Sequence, residues 1–324
     1  MPSTFSASRI LHAVVLCVAS AVLWADASLA ADYPKKPIQI VVPYNVGGGV
    51  DLFARAVGEF SQKYWGQSLV VINKDGAGGE LGYNYGAHAK PDGYTLTAIV
   101  LPNIIYQPRV REKGVEGYQV EDFDQIGTLT VLPNAVFVPI DSPFKTWDDV
   151  VKKAKANPGT VTAGITGAKN TTDGFLLQLE SAANIDLKRV TYTGGAPLMK
   201  DVVGGHVDLM LANSMFIETA KDTMRCLGLA SAERYEYAPD VPTFKEQGTD
   251  VVDSLTRGIG VPRGTPADIV AYLDKGLQAM AKDPEFKTKM VGLGLPISYL
   301  NSQQTQSLID DFIARNSWLF DKFE

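Results

Sequence analysis

Cysteine is almost missing from this chain: only Cys17 and Cys226 occur among 324 residues. Two thiols make no disulfide-rich scaffold, and no C-x-x-C or H-E-x-x-H spacing is present to hold a zinc ion. Histidine is nearly as scarce, with three copies at positions 12, 88 and 206. G-x-S-x-G is absent, and neither His88 nor His206 has a sequence neighbour that marks it as a base or a metal ligand. Basic charge is in short supply too. Thirty Lys and Arg against thirty-six Asp and Glu leave −6, with a pI near 5.2, which gives no support for a nucleic-acid partner. No internal repeat or low-complexity tract occurs, and no Pro/Gly-rich linker divides the chain. What remains is 45% hydrophobic and 20% charged, an ordinary globular composition long enough for about two domains of roughly 150 residues.

The longest apolar run also falls short. Residues 10–25, interrupted by His12 and Ser20, make sixteen residues, fewer than the ~20 that span a bilayer. Polar residues ending in Arg9 precede it, and Ser28-Leu29-Ala30 follows with small residues at −3 and −1. That order predicts a signal peptide over 1–30, cleavage after Ala30 and a periplasmic protein. Val14 and Leu16 do not fit a lipobox around Cys17. Removal of residues 1–30 takes Arg9 and Asp26 together, so the charge stays at −6. Cys226 is then the lone thiol, in an apolar run that reads as a buried small hydrophobe.

Hydrophobic periodicity alternates between β and α patterns. Strands are expected at 38–43, 69–73, 94–101, 135–139, 161–165, 207–211, 226–230 and 258–261. Helices are expected at 51–64, 147–156, 172–183, 197–203 and 215–221. The C-terminal third reads as helical: Thr265 before Pro266, and Asp283 before Pro284, each give an N-cap with proline at the first helical position. Ser302 is the expected cap of a last helix carrying Leu308, Ile309, Phe312 and Ile313. Alternation of this kind implies βαβ units and largely parallel sheets. The expected crossings between two domains fall at 130–134 and 254–258. Ligand sites in such folds lie beyond the carboxyl ends of strands, where loops lead into helix N-termini.

Two such loops stand out. Pro43-Tyr44-Asn45-Val46-Gly47-Gly48-Gly49-Val50-Asp51 follows the first strand. Its glycines allow close backbone approach, and a helix N-terminus favours an anion such as a carboxylate or phosphate. The alternative is a plain strand-to-helix turn. Nucleotide fingerprints fail here, since G-x-G-x-x-G meets Leu52 at its sixth position, and the Gly76–Gly82 cluster fails at Leu81. The second loop is Thr166-Gly167-Ala168-Lys169-Asn170-Thr171-Thr172-Asp173. Asn170, Thr171 or Thr172 can cap the helix, Asp173 sits in its first turn, and Lys169 is either a charge for a second anion subsite or a solvated lysine.

Ordered segments along nearly all of the mature chain resemble the solute-binding proteins of tripartite tricarboxylate transporters, the Bug or TctC-like family. They are Tyr33-Pro34-Lys35-Lys36-Pro37-Ile38, the 43–51 glycine loop, Asn73-Lys74-Asp75-Gly76-Ala77-Gly78-Gly79 and Lys90-Pro91-Asp92-Gly93-Tyr94-Thr95-Leu96. Val190-Thr191-Tyr192-Thr193-Gly194-Gly195-Ala196-Pro197, Gly204-Gly205-His206-Val207-Asp208 and Ala238-Pro239-Asp240-Val241-Pro242-Thr243 follow. The resemblance implies a type II-like periplasmic binding protein, two α/β domains around a ligand cleft: domain I at 31–132 plus 256–324, domain II at 133–255. It implies a small organic acid as ligand, a membrane partner with one large and one small integral subunit, and no cofactor. Carried over by position, Tyr44, Asn45, Gly47, Gly48 and Gly49 form the first subsite, and Gly167, Ala168, Lys169, Asn170 and Thr171 the second. Asn103, Thr193 and Asn213 line the cleft.

The second loop departs from the family's G-x-G-[ST]-x-x-H pattern. Lys169 stands at the second glycine, Asn170 at the hydroxyl residue and Asp173 at the histidine. In the first loop, Asn45-Val46 replaces smaller residues. A bulkier, cationic second subsite points to a ligand other than the commonest small dicarboxylates, an aromatic or larger acid among them. The expected function is capture of a di-/tricarboxylate or aromatic acid for delivery to a transporter, without catalysis. Two rivals are a ligand sensor feeding a two-component kinase and a carboxylate-processing enzyme with Asp173 as base and Lys169 as activator.

Overall fold

The computed structural model describes residues 33–111 and 116–323; the expected export signal at 1–30 lies outside the described residues. From the amino end run β1 (Ile38–Val42), α1 (Gly49–Trp65), β2 (Leu69–Asn73), α2 (Glu80–Ala87), β3 (Thr95–Leu101) and α3 (Asn103–Val110). The long strand β4 (Phe123–Pro139) is followed by α4 (Trp147–Ala156), β5 (Thr162–Ile165), α5 (Thr171–Ala183) and β6 (Lys188–Thr191). Next come α6 (Gly195–Val203), β7 (Leu209–Asn213), α7 (Met215–Thr219) and β8 (Met224–Leu229). Strand β9 (Ser254–Pro262) leads to α8 (Ala267–Lys282), α9 (Pro284–Gly292), β10 (Leu300–Asn301) and α10 (Ser302–Asp321).

Strand β4 belongs to two sheets. Through Pro133 it pairs with β9, in the order β2-β1-β3-β9-β4 with β10 beyond. From Asn134 onward it pairs with β7 and β8 instead, and β7-β5-β6 continues the second sheet. Strand β9 begins at Ser254, opposite Pro133. Just before it, Asp253 O accepts from Asn134 N at 3.0 Å and Asp253 N donates to Ala230 O at 2.9 Å.

The sheets are less parallel than the alternation implied. β1 is parallel to β2 and β3, and β5 to β6 and β7. β9 and β4, however, run antiparallel to the strands they join. These two strands carry the chain from one sheet to the other without a helical crossover, so no βαβ unit fixes their direction.

Helices cover both faces of each sheet. On β4, Val136 and Val138 enter one core while Ala135 and Phe137 enter the core on the opposite face. Burial on both sides explains why this stretch reads as continuously apolar rather than alternating. In the first half, α1, α8 and α9 pack Phe53, Val57, Leu273, Leu277 and Phe286 against β1. The other face is closed by Tyr83, Tyr106, Ile309 and Phe312.

Asp283 caps α9 as expected, accepting from Glu285 N and Phe286 N at 2.8 and 3.4 Å with Pro284 at the first position. Lys63 and Tyr64 also reach this carboxylate, tying α9 to α1 and holding the acid well below its usual range. The other two expected caps are corrected. Thr265 turns its hydroxyl back onto Pro262 O (2.7 Å), leaving Pro266 itself at the N-cap position of α8. Asn301, not Ser302, caps α10, because its amide oxygen takes Gln304 N while Gln304 reaches back to Asn301 N. Cys226 lies half-buried in β8, with its thiol pushed up to about 12 by burial and away from the thiolate form. Among the described residues no helix is long and apolar enough to cross a membrane.

Candidate functional site

The glycine loop leaves the carboxyl end of β1 and enters α1 at Gly49. Gly47 has φ +80°, a conformation that glycine adopts without strain, and its N–H donates to Asp51 Oδ2 at 2.9 Å. The buried Asp51 carboxylate also accepts from Arg55 Nε (2.8 Å) and Asn73 Nδ2 (2.9 Å). Burial raises its affinity for a proton, yet these hydrogen bonds hold it below the usual carboxylate range. Asp51 thus closes the loop from the third helical position. Gly48 sits at the N-cap with no side chain to cap with, and its N–H turns back to Asn45 O at 3.3 Å. The first-turn N–H groups of α1, which have no carbonyl one turn back, receive no side-chain cap. Asn45 is exposed.

The second loop repeats the device. Lys169 N donates to Asp173 Oδ2 at 2.7 Å, again a carboxylate at the third helical position closing the loop in front of it. Lys169 does so with φ +55°, unusual for a side chain without a short polar group, and its side chain is exposed without an ion pair among the described residues. Gly167 has φ +138°, and a Cβ there would lie 2.6 Å from Asn170 Nδ2. Asn170 caps α5, accepting from Thr172 N and Asp173 N at 3.1 and 3.2 Å and donating to Thr166 O. Ala168 is exposed beside Lys169.

The two loops meet through Asn103. Its Oδ1 accepts from Thr171 N at 3.0 Å and from the Thr171 hydroxyl, while its Nδ2 donates to Tyr44 Oη at 3.1 Å. The Tyr44 phenol lies 3.4 Å from that of Tyr83. A chain Tyr44–Asn103–Thr171 therefore joins the loop after β1, the start of α3 and the start of α5. The first-turn N–H groups at 171, 172 and 173 are all occupied, unlike those of α1. Asn213 accepts from Met215 N (3.2 Å) at the end of β7. Thr193, exposed after β6, has no hydrogen bond to this group.

Arg257, on β9, escaped the sequence reading, which treated 254–258 as a crossing. It is 4% exposed. A Cβ on Gly49 would sit 2.7 Å from its Nη2 and 3.2 Å from Met215 Sδ. Its Nε and Nη1 are buried without acceptors, and burial pulls the guanidinium down to about 10, against a smaller opposing effect of Tyr44. The available signal was a lone charge inside Ser254-Leu-Thr-Arg-Gly-Ile-Gly-Val-Pro262.

The residues of the enzymatic rival, and the histidines, have partners or positions of their own. Asp173, the base of the enzymatic rival, pairs with Arg189 at 3.1 Å and with its own loop; burial raises its carboxyl against both. His88 ends α2, with Nδ1 2.8 Å from Asn84 O, and His206 is exposed. Among the described residues no group of three or more His, Cys, Asp or Glu is placed to hold a metal. An open cavity of about 780 Å3, lined by Lys36, Gln39, Asn84, His88 and Thr95 among others, lies at the amino ends of β1 and β3, away from these loops.

Comparison with known proteins identifies the family. Residues 53–324 match the tripartite tricarboxylate transporter family receptor, TctC. A curated relative, the UPF0065 protein in the gbd 5'region of Cupriavidus necator, is 29% identical over 296 residues, covering 90% of this chain and 89% of its own. Among solved structures, Rpa4515 of R. palustris with adipate superposes with a TM-score of 0.79 at 25% identity, covering 90% of this chain and 98% of that one. MatC (Rpa3494) of Rhodopseudomonas palustris with bound malate gives 0.75 at 25%, covering 90% and 100%. The chain therefore belongs to the tripartite tricarboxylate transporter receptor family, the TctC-like or Bug solute-binding proteins.

Proposed function

We propose that this protein is exported to the periplasm, captures a small organic carboxylate between two domains, and delivers it to a tripartite transporter with a large and a small membrane subunit. The division is 31–132 plus 256–324 for one domain and 133–255 for the other, supported by the change of sheet along β4 at Pro133–Asn134. The observation that carries the reading is the uncapped first turn of α1 behind a glycine loop, a site suited to a carboxylate. The adipate- and malate-bound relatives agree with it in chemistry.

The ligand docks at Tyr44, Asn45 and Gly47–Gly49, and closure brings up Gly167–Thr171 with Asn103, Thr193 and Asn213 at the margins. The Asn103–Thr171 hydrogen bonds exist only when the halves approach, so they add to the preference of the bound protein for the closed form. N–H groups and side chains neutralise the anion, without a cofactor.

A thermal-shift screen of the chain without residues 1–30 against carboxylates, amino acids, sugars and nucleotides tests this. At ~100 times its dissociation constant a ligand adds about 2.7 kcal/mol, roughly 5–11 °C for a unit of about 150–250 residues. Carboxylates alone should give that shift. A response to sugars or nucleotides with none to acids would overturn the proposal.

A further inference from the structure

Two positive groups face each other at the mouth of the first loop. One is the N-terminus of α1, carrying partial positive charge and no side-chain cap. The other is the guanidinium of Arg257, whose Nη2 lies against Gly49. The side chain is 4% exposed, and Nε and Nη1 have no acceptor. Its register partners on the neighbouring strands, Val100 and Thr130, supply none, and the Thr130 hydroxyl is itself unpartnered. Along β9, Leu255, Ile259 and Val261 join the apolar core, so a hydrophobic side chain at 257 would suit the unliganded fold better than a charge. An unpaired buried cation beside a helix N-terminus is an arrangement that an anion completes.

We propose that Arg257 anchors the ligand: its guanidinium and the first-turn N–H groups of α1 together hold one carboxylate of the captured acid. The inference rests on the carboxylate-receptor reading above and assigns the obligatory charge contact to the α1 side of the cleft. A planar guanidinium meets a carboxylate through parallel N–H···O bonds, and exclusion from water strengthens the pairing. The α5 side has no comparable opening, because Asn103 and Asn170 already occupy its first-turn N–H groups. Gly49 follows from the same geometry, since any larger residue would collide with the guanidinium.

The test compares wild type, Arg257→Met and Arg257→Lys, each without residues 1–30, by melting temperature and by calorimetric titration with adipate, malate, citrate and benzoate. Wild type should bind at least one of the four. Arg257→Met should lower that affinity at least about 100-fold while the unliganded melting temperature holds or rises, because a buried unpaired charge has gone. Arg257→Lys keeps a charge but loses the fork, and should lose about tenfold. A purely structural arginine predicts the reverse pattern: a lower unliganded melting temperature and affinity within threefold of wild type in both variants, which would overturn the proposal. Binding of none of the four acids by wild type would instead contradict the receptor reading on which it rests.

Discussion

At the scale of single residues, the two loops share a construction. In each, a backbone N–H donates to a carboxylate four residues on, Gly47 to Asp51 and Lys169 to Asp173. The loops are thus set before any ligand arrives, and their exposed parts can be altered separately. Gly48 has φ −74°, which any residue tolerates, and an added Cβ meets only Asn45 O at 3.3 Å. Gly48→Val should therefore leave the melting temperature within a few degrees and weaken carboxylate binding more than about 30-fold, by blocking approach to the first turn of α1. Unchanged affinity by calorimetry would remove this loop from the site. Lys169→Ala should weaken a di-anion about three- to tenfold and a mono-anion less, and equal losses would make Lys169 a solvated side chain. The glycine loop was legible because glycine runs before a helix have a backbone meaning. Arg257 was not, since one charge in an apolar strand has no periodic signature and declares itself only once β3 and β4 bury it.

At the scale of elements, the helix N-termini behave differently although their sequences look alike. α1 is open, whereas α5 is closed partly by Asn103 from the other half of the molecule. Asn103→Ala removes these bonds together with the donation to Tyr44 inside one half, and should weaken binding about tenfold, about 1.4 kcal/mol. Equal affinity would show that the contact does not contribute to closure. Where the chain passes between the sheets, Asp253 accepts from Asn134 Nδ2 at 2.8 Å and is 6% exposed. Burial, opposed by Asn134 and the neighbouring N–H, pushes its carboxyl up to about 6. The folded form holds this proton more tightly than the unfolded chain, so ionisation above pH 6 costs stability and the cost fades as pH falls toward 4. Asp253→Asn should raise stability at pH 7.5 by up to about 3 kcal/mol, with the gain shrinking by pH 5 in calorimetric scans. A gain that is absent, or that grows on acidification, would contradict this. Many helix and strand positions could be read from periodicity, but not α2, α3, β6 or the first half of β4; the cap at Asn301 instead of Ser302 and the antiparallel direction of β9 could not either, because they depend on which partner lies across space.

For the whole molecule, a chain of net charge −6 still buries one arginine, Arg257, beside the open end of α1. The overall charge therefore spoke only against a nucleic-acid partner, and the anion preference came from two loops. The alternation of elements indicated two α/β units with crossings at 130–134 and 254–258, while the pairing of β4 in both sheets emerged only from the structure. A crystal structure with the best-binding carboxylate tests the central claim most directly. One carboxylate of the ligand should lie within hydrogen-bonding distance of the first-turn N–H groups of α1 and of Arg257, between the glycine loop and the Thr166–Thr171 loop. An acid found instead in the cavity lined by Lys36, Asn84 and His88, with the α1 end empty, would contradict the account.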